Sequence, residues 1–115
     1  MIVCVLDDLL FSVKIRTAAK ALGADVYFER SPAVLDAVRL KQPRLVIFDL
    51  NATRLAPMEA IAALKADPLL RATPTLGFVS HVDTATIEAA RAAGVDRVLA
   101  RSAFAERLGD ILTGG

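Results

Sequence analysis

A single cysteine, a single histidine and nearly balanced charge limit what this 115-residue chain can be. Cys4 alone excludes an internal disulfide and a multi-cysteine metal site. Inside the apolar run Ile2–Leu6 it reads as a buried structural thiol, the kind a reducing cytosol tolerates. Lysine and arginine number 14 against 13 aspartates and glutamates, so no overall field steers the chain to nucleic acid or to a membrane surface. Phe104 is the one aromatic residue between the arginines of the C-terminal third, and it belongs to an apolar helix stripe, so no aromatic set for stacking on bases accompanies them. The N-terminus has no basic segment ahead of its apolar run, which stops at Asp7 and Asp8. No run approaches the roughly 20 apolar residues of a membrane span. The G-x-G-x-x-G dinucleotide fingerprint, internal repeats, low-complexity segments and linkers are also absent. The expectation is a cytoplasmic protein with neither nucleic acid nor membrane as partner.

What is present is an apolar majority, 55% of the residues, arranged in alternating periods. Five short runs read as strands: Ile2–Leu6, Asp25–Phe28, Leu45–Phe48, Thr75–Val79 and Arg97–Ala100. Between them, Phe11, Ile15, Ala18, Ala19 and Leu22 lie on one stripe of a helix that Gly23 can close. Four more helices follow the same logic. Ser31 can cap one carrying Val34, Leu35 and Val38; Pro57 can open one carrying Met58, Ile61 and Leu64. Asp83 or Thr84 can cap one with Ile87 and Ala90, closed by Gly94, and Ser102 can cap the last, with Phe104, Leu108, Ile111 and Leu112 on one face. Strands alternating with helices predict an α/β fold, a single (βα)5 doubly wound parallel sheet covered on both faces, over residues 1–112. Residues 113–115 are expected to fray.

In such a sheet, ligands lie beyond the carboxyl ends of the strands. Four strands run into polar residues there: Asp7 and Asp8 after the first, Asp49 after the third, Ser80 after the fourth and Arg101 after the fifth. Carboxylates about 4 Å apart repel by roughly 4 kcal/mol at an effective dielectric near 20, so Asp7, Asp8 and Asp49 together call for a cation or a proton. Mg²⁺ would relieve this, taking one or two carboxylates plus a backbone carbonyl. It would orient a phosphoryl group for attack by an aspartate oxygen, with Ser80 donating a hydrogen bond and a cation balancing the new charge.

The whole chain resembles the receiver domain of two-component response regulators. "VCVLDDLLFSVKIRTAAKALG" is similar to that family's first strand, acidic turn and first helix; "RLVIFDLN" to its third strand with the phospho-accepting aspartate; "PTLGFVSH" to its fourth strand and hydroxyl residue; and "AAGVDRVLARS" to its "AGA…KP" stretch. The resemblance implies a flavodoxin-like strand order, 2-1-3-4-5. It implies Asp49 as phospho-acceptor, Ser80 as switch hydroxyl and Arg101 in place of the family lysine. It also implies a Mg²⁺ site built from Asp7, Asp8, Asp49 and the backbone carbonyl of Asn51, and a non-enzymatic signalling role.

Departures from the family pattern are specific. Leu6 stands where the first acid of the pair belongs, with Asp8 as a substitute. Arg101 and Ser102 replace the lysine and its proline, and Val98 replaces the aromatic residue that reports phosphorylation. The planar fork of Arg101 can grip a carboxylate where lysine presents a point charge, so a standing ion pair with Asp49 is expected. These losses favour a pseudo-receiver, an interaction module in which Asp49 is not phosphorylated. The alternatives are a working phosphorelay receiver fed by a histidine kinase, and a small flavodoxin-like cofactor binder. For the last, the turn "LDDLLFS" is acidic where a phosphate cradle would be needed, and the lone His81 follows the fourth strand as a loop residue beside the site. Arg91, Arg97, Arg101 and Arg107 mark the fourth and fifth helices as the face for a protein partner, on a monomer or weak dimer.

Overall fold

The alternating apolar runs do become one parallel sheet. In the computed structural model, which describes residues 1–80 and 83–114, the strands are β1 (Ile2–Val5), β2 (Val26–Glu29), β3 (Leu45–Asp49), β4 (Thr75–Val79) and β5 (Arg97–Ala100), in the order β2-β1-β3-β4-β5. The helices are α1 (Leu9–Leu22), α2 (Val34–Lys41), α3 (Pro57–Ala66), α4 (Thr84–Ala93), α5 (Arg101–Glu106) and α6 (Leu108–Leu112), with a 3₁₀ turn at Thr53–Leu55. The expected strand order is the observed one.

Each central strand is buried on both faces because successive side chains serve opposite layers. Val3, Val5, Val46 and Phe48 pack with Val34 and Val38 of α2 and with Ile61 and Leu64 of α3. Ile2, Cys4, Ile47 and Phe78 pack with Ile15 of α1, Phe104 of α5 and Ile111 of α6. Cys4 is fully buried, and burial pushes its thiol pKa up to about 12, so it is a core residue, as expected.

Helix ends follow local chemistry. Gly23 (φ 69°) and Gly94 (φ 105°) take the left-handed conformation that closes α1 and α4, and Pro57 opens α3. Asp83 caps α4 through the amide of Ala85. Two expected caps fail. The Ser31 hydroxyl donates to Glu29 Oε2 at 2.8 Å and accepts from the Ala33 amide at 3.2 Å, so it builds a turn around Pro32, and α2 begins only at Val34. Ser102 caps nothing, because α5 starts one residue earlier, at Arg101. The expected last helix is also divided at Arg107 (φ −97°, ψ 7°). Gly109, a residue costing about 1 kcal/mol in a helix interior, follows two positions on. The apolar stripe survives the joint: Phe104, Leu108, Ile111 and Leu112 are all buried.

At the amino edge of the sheet, Asp96 receives Lys65 Nζ at 3.0 Å and the Thr75 amide and hydroxyl at 2.8 and 3.0 Å, which fixes β5 against β4. Arg44 donates to the carbonyls of Ile111 and Leu112 and so holds the end of α6.

Gly77 in β4 admits the side chain of Leu50, which follows β3: a Cβ at position 77 would lie 2.7 Å from Leu50 Cδ1. Gly77→Ala is therefore expected to lower stability by about 1–3 kcal/mol through overpacking. Adding Leu50→Ala should cost less than the sum of the two single changes, read as a coupling in urea denaturation.

Candidate functional site

Four strand ends and two helix starts bring the expected residues to one rim. Asp49 closes β3 still within the sheet, in register with Phe78 of β4, and is 7% exposed. Asp7 lies in the loop after β1, and Asp8 is the N-cap of α1, with Oδ1 accepting from the Phe11 amide at 3.0 Å. Asn51 turns back so that its amide donates to Asp49 Oδ1 at 3.0 Å, while its side-chain oxygen accepts from the Ser80 amide at 2.7 Å. One asparagine thus ties the loop after β3 to the loop after β4. Its backbone carbonyl accepts from the Thr53 amide at 2.9 Å. His81 lies outside the described residues.

Arg101 does not form the expected pair with Asp49. Its guanidinium reaches Asp8 Oδ2 at 2.9 Å and Ser80 Oγ at 3.4 Å, and lies over the Phe11 ring, 4.1 Å from its centroid. The helix start explains this. As the first residue of α5, Arg101 places a cation at the positive end of a helix, where it is electrostatically misplaced without an anion. Asp8 sits at the start of α1 and supplies that anion.

A second arginine, unremarked in the sequence, completes the rim. Arg54, in the 3₁₀ turn, donates from Nε to Asp7 Oδ2 at 3.1 Å and from Nη2 to the Arg30 carbonyl at 3.3 Å. Ala56 (φ 49°) closes that turn in a left-handed conformation uncommon for alanine. The stretch "LNATRLAP" carried no charge pattern pointing to Asp7. Only the turn geometry places Arg54 there.

The carboxyl groups are driven apart electrostatically. The Phe11 amide, first, and then Arg101 hold Asp8 below the usual carboxylate range. Burial pushes Asp49 above it, against the lowering effects of the Asn51 amide and of Arg101, and the charges of Asp7 and Asp8 add to the rise. Among the described residues Asp49 forms no ion pair.

No family model and no curated relative matches the chain. Solved structures do. A response regulator from Hahella chejuensis matches over 97% of this chain and 92% of its own, with TM-score 0.82 at 21% identity. The chemotaxis response regulator CheY4 of Vibrio cholerae matches over 98% and 95%, with TM-score 0.82 at 17% identity. The Mn²⁺-bound form of response regulator Rcp1 matches over 98% and 88%, with TM-score 0.74 at 21% identity. The chain has the receiver fold.

Within that fold the expected metal donors are present but engaged. Both oxygens of Asp8 accept hydrogen bonds, Oδ2 of Asp7 is held by Arg54, and Asp49 Oδ1 and the Asn51 carbonyl each accept an amide. Among the described residues no three acidic, histidine or cysteine side chains gather as a metal-holding group. This arrangement of the donors does not fit a divalent cation.

Two outcomes are expected. Asp8→Ala removes the α1 cap and the partner of Arg101, and should cost about 1–2 kcal/mol in urea denaturation at neutral pH. Because the folded pKa of Asp8 is lowered, this difference should shrink as pH falls through the carboxylate range. Asp49→Asn should do the reverse. The folded pKa of Asp49 is raised, so the native residue weakens the fold as pH rises above the ordinary aspartate range. The variant should melt a few degrees higher at neutral pH and no higher in acid.

Proposed function

We propose that this receiver-fold domain is a pseudo-receiver in signal transduction, non-enzymatic, acting through protein contact with Asp49 unphosphorylated. The observation that carries the reading is the Arg101–Asp8 pair. By resemblance, a working receiver uses a lysine at the end of its fifth strand to balance the charge of an acyl phosphate. Here the cation in that place is held 2.9 Å from Asp8, stacked on Phe11, and within reach of the Ser80 hydroxyl. Asp49 itself is buried at the end of β3, and burial raises its pKa against the lowering effect of the Asn51 amide.

The contact surface follows from what is left exposed. Arg101 turns into the rim, so it leaves the basic patch expected on the fourth and fifth helices. Arg91, Arg97 and Arg107 remain exposed there and suit an acidic protein surface. Localisation in the cytoplasm agrees with the single buried thiol and with the finding that no helix among the described residues is long and apolar enough to cross a membrane.

The second reading, a phosphorelay receiver taking phosphate from a histidine kinase with Mg²⁺, draws support from the placement of Asp49, Asn51 and Ser80 on one rim. Intact mass after incubation with a small phosphodonor and Mg²⁺ separates the two. The expected result is no gain of the roughly 80 Da of a phosphoryl group. An adduct on the wild type that is missing from Asp49→Asn would establish the working receiver instead.

A further inference from the structure

Arg54 and Arg101, which themselves follow β3 and β5, reach residues that follow the other three strands. Arg54, in the turn after β3, binds Asp7 after β1 and the carbonyl of Arg30 after β2. Arg101, after β5, binds Asp8 after β1 and approaches Ser80 after β4. The pairs are of similar reach, 3.1 and 2.9 Å. They differ in setting: the Arg54 side chain is 64% exposed, whereas that of Arg101 is 33% exposed and roofed by Phe11.

We infer that these two guanidinium groups are the resident counter-cations of the rim, occupying the carboxylates that a divalent ion would otherwise bridge. The inference shares the reading of Arg101 given above and adds Arg54 to it. Of the three carboxylates on this rim, Asp7 and Asp8 are answered by arginine. A hard dication needs several oxygens at once at short range, and it must replace each guanidinium it displaces with bonds at least as favourable. Asp8 resists most strongly, since one oxygen also caps α1 and its loss would fray that helix. Asp7 is easier to free, because Arg54 is the more exposed partner and its pair is screened by salt. The rim is therefore held closed by the chain's own charges, and divalent affinity is set by the arginines more than by the acids.

The experiment is a Mn²⁺ titration, with free ion counted by electron paramagnetic resonance and the bound ion located by broadening of the Asn51 and Phe11 amide signals. It compares wild type, Arg54→Gln, and the double variant Arg54→Gln with Arg101→Gln, each checked for folding by circular dichroism. Affinity is expected to rise in that order, by about tenfold or more from first to last. Adding Asp7→Asn to the double variant should abolish the gain. Equal affinity in all three proteins, no saturable binding in any folded variant, or a gain that survives Asp7→Asn would each overturn the inference. Arg54→Gln, changing an exposed side chain, keeps the test open if the double variant does not fold. No phosphodonor is involved, so the two readings fail separately. Tight Mn²⁺ binding by an unphosphorylated wild type overturns only this one; a phosphoryl adduct on a wild type that binds Mn²⁺ weakly overturns only the pseudo-receiver.

Discussion

The contact between Arg101 and Asp8 joins residues 93 positions apart and fixes the start of the first helix to the start of the fifth. Neither end would be comfortable alone. A cation opening a helix is opposed by the helix dipole, and an anion beside two other carboxylates is opposed by its neighbours. Brought to 2.9 Å, each removes the other's penalty, and the Asp8 carboxylate can go on capping α1. The stack of Arg101 on Phe11 anchors the pair to the interior. Phe11 meets Phe78 at 5.3 Å and Phe104 at 5.8 Å, and those two rings stack at 4.8 Å. A charge pair on the rim and an aromatic triplet in the core thus meet at Phe11.

Asp49 is what this arrangement leaves over. With Asp8 claimed by Arg101 and Asp7 by Arg54, the third carboxyl group forms no ion pair among the described residues and lies within the sheet, in register with Phe78. Burial then shifts it toward the neutral form. The same counter-charges that quiet the outer acids make the inner one the least compensated group of the rim. The Asn51 amide that bonds Asp49 Oδ1 at 3.0 Å matters correspondingly more.

The alternation of strands and helices, the two helical layers and the position of the rim were legible in the sequence because they follow from period and from the punctuation of Gly23, Pro57, Asp83 and Gly94, whereas the strand order was implied by the receiver resemblance. These signals act over a few residues and survive any tertiary context that buries the apolar face. The caps assigned to Ser31 and Ser102 were not legible, since a hydroxyl chooses among competing local amides by fractions of a turn. Within the rim, residue types and strand ends could be read, but pairings could not. Arg101 was expected to pair with Asp49, and its pairing with Asp8 goes with α5 beginning one residue before the serine. Arg54 carried no signal, because its contact with Asp7 is made by a turn closed at Ala56, an alanine in a conformation that sequence does not advertise.

The difference between lysine and arginine acquires its meaning here. An ammonium is a point charge on a flexible stem and can follow a phosphate as it arrives. A guanidinium is flat and forked: one face lies on Phe11, one nitrogen meets Asp8, and another approaches Ser80. Releasing it would break a stack, an ion pair and a hydroxyl contact together, and would leave Asp8 beside Asp7 without a partner. The substitution at position 101 therefore does more than alter one side chain. It gives the rim a ground state in which Asp7 and Asp8 are already answered by cations of the same chain.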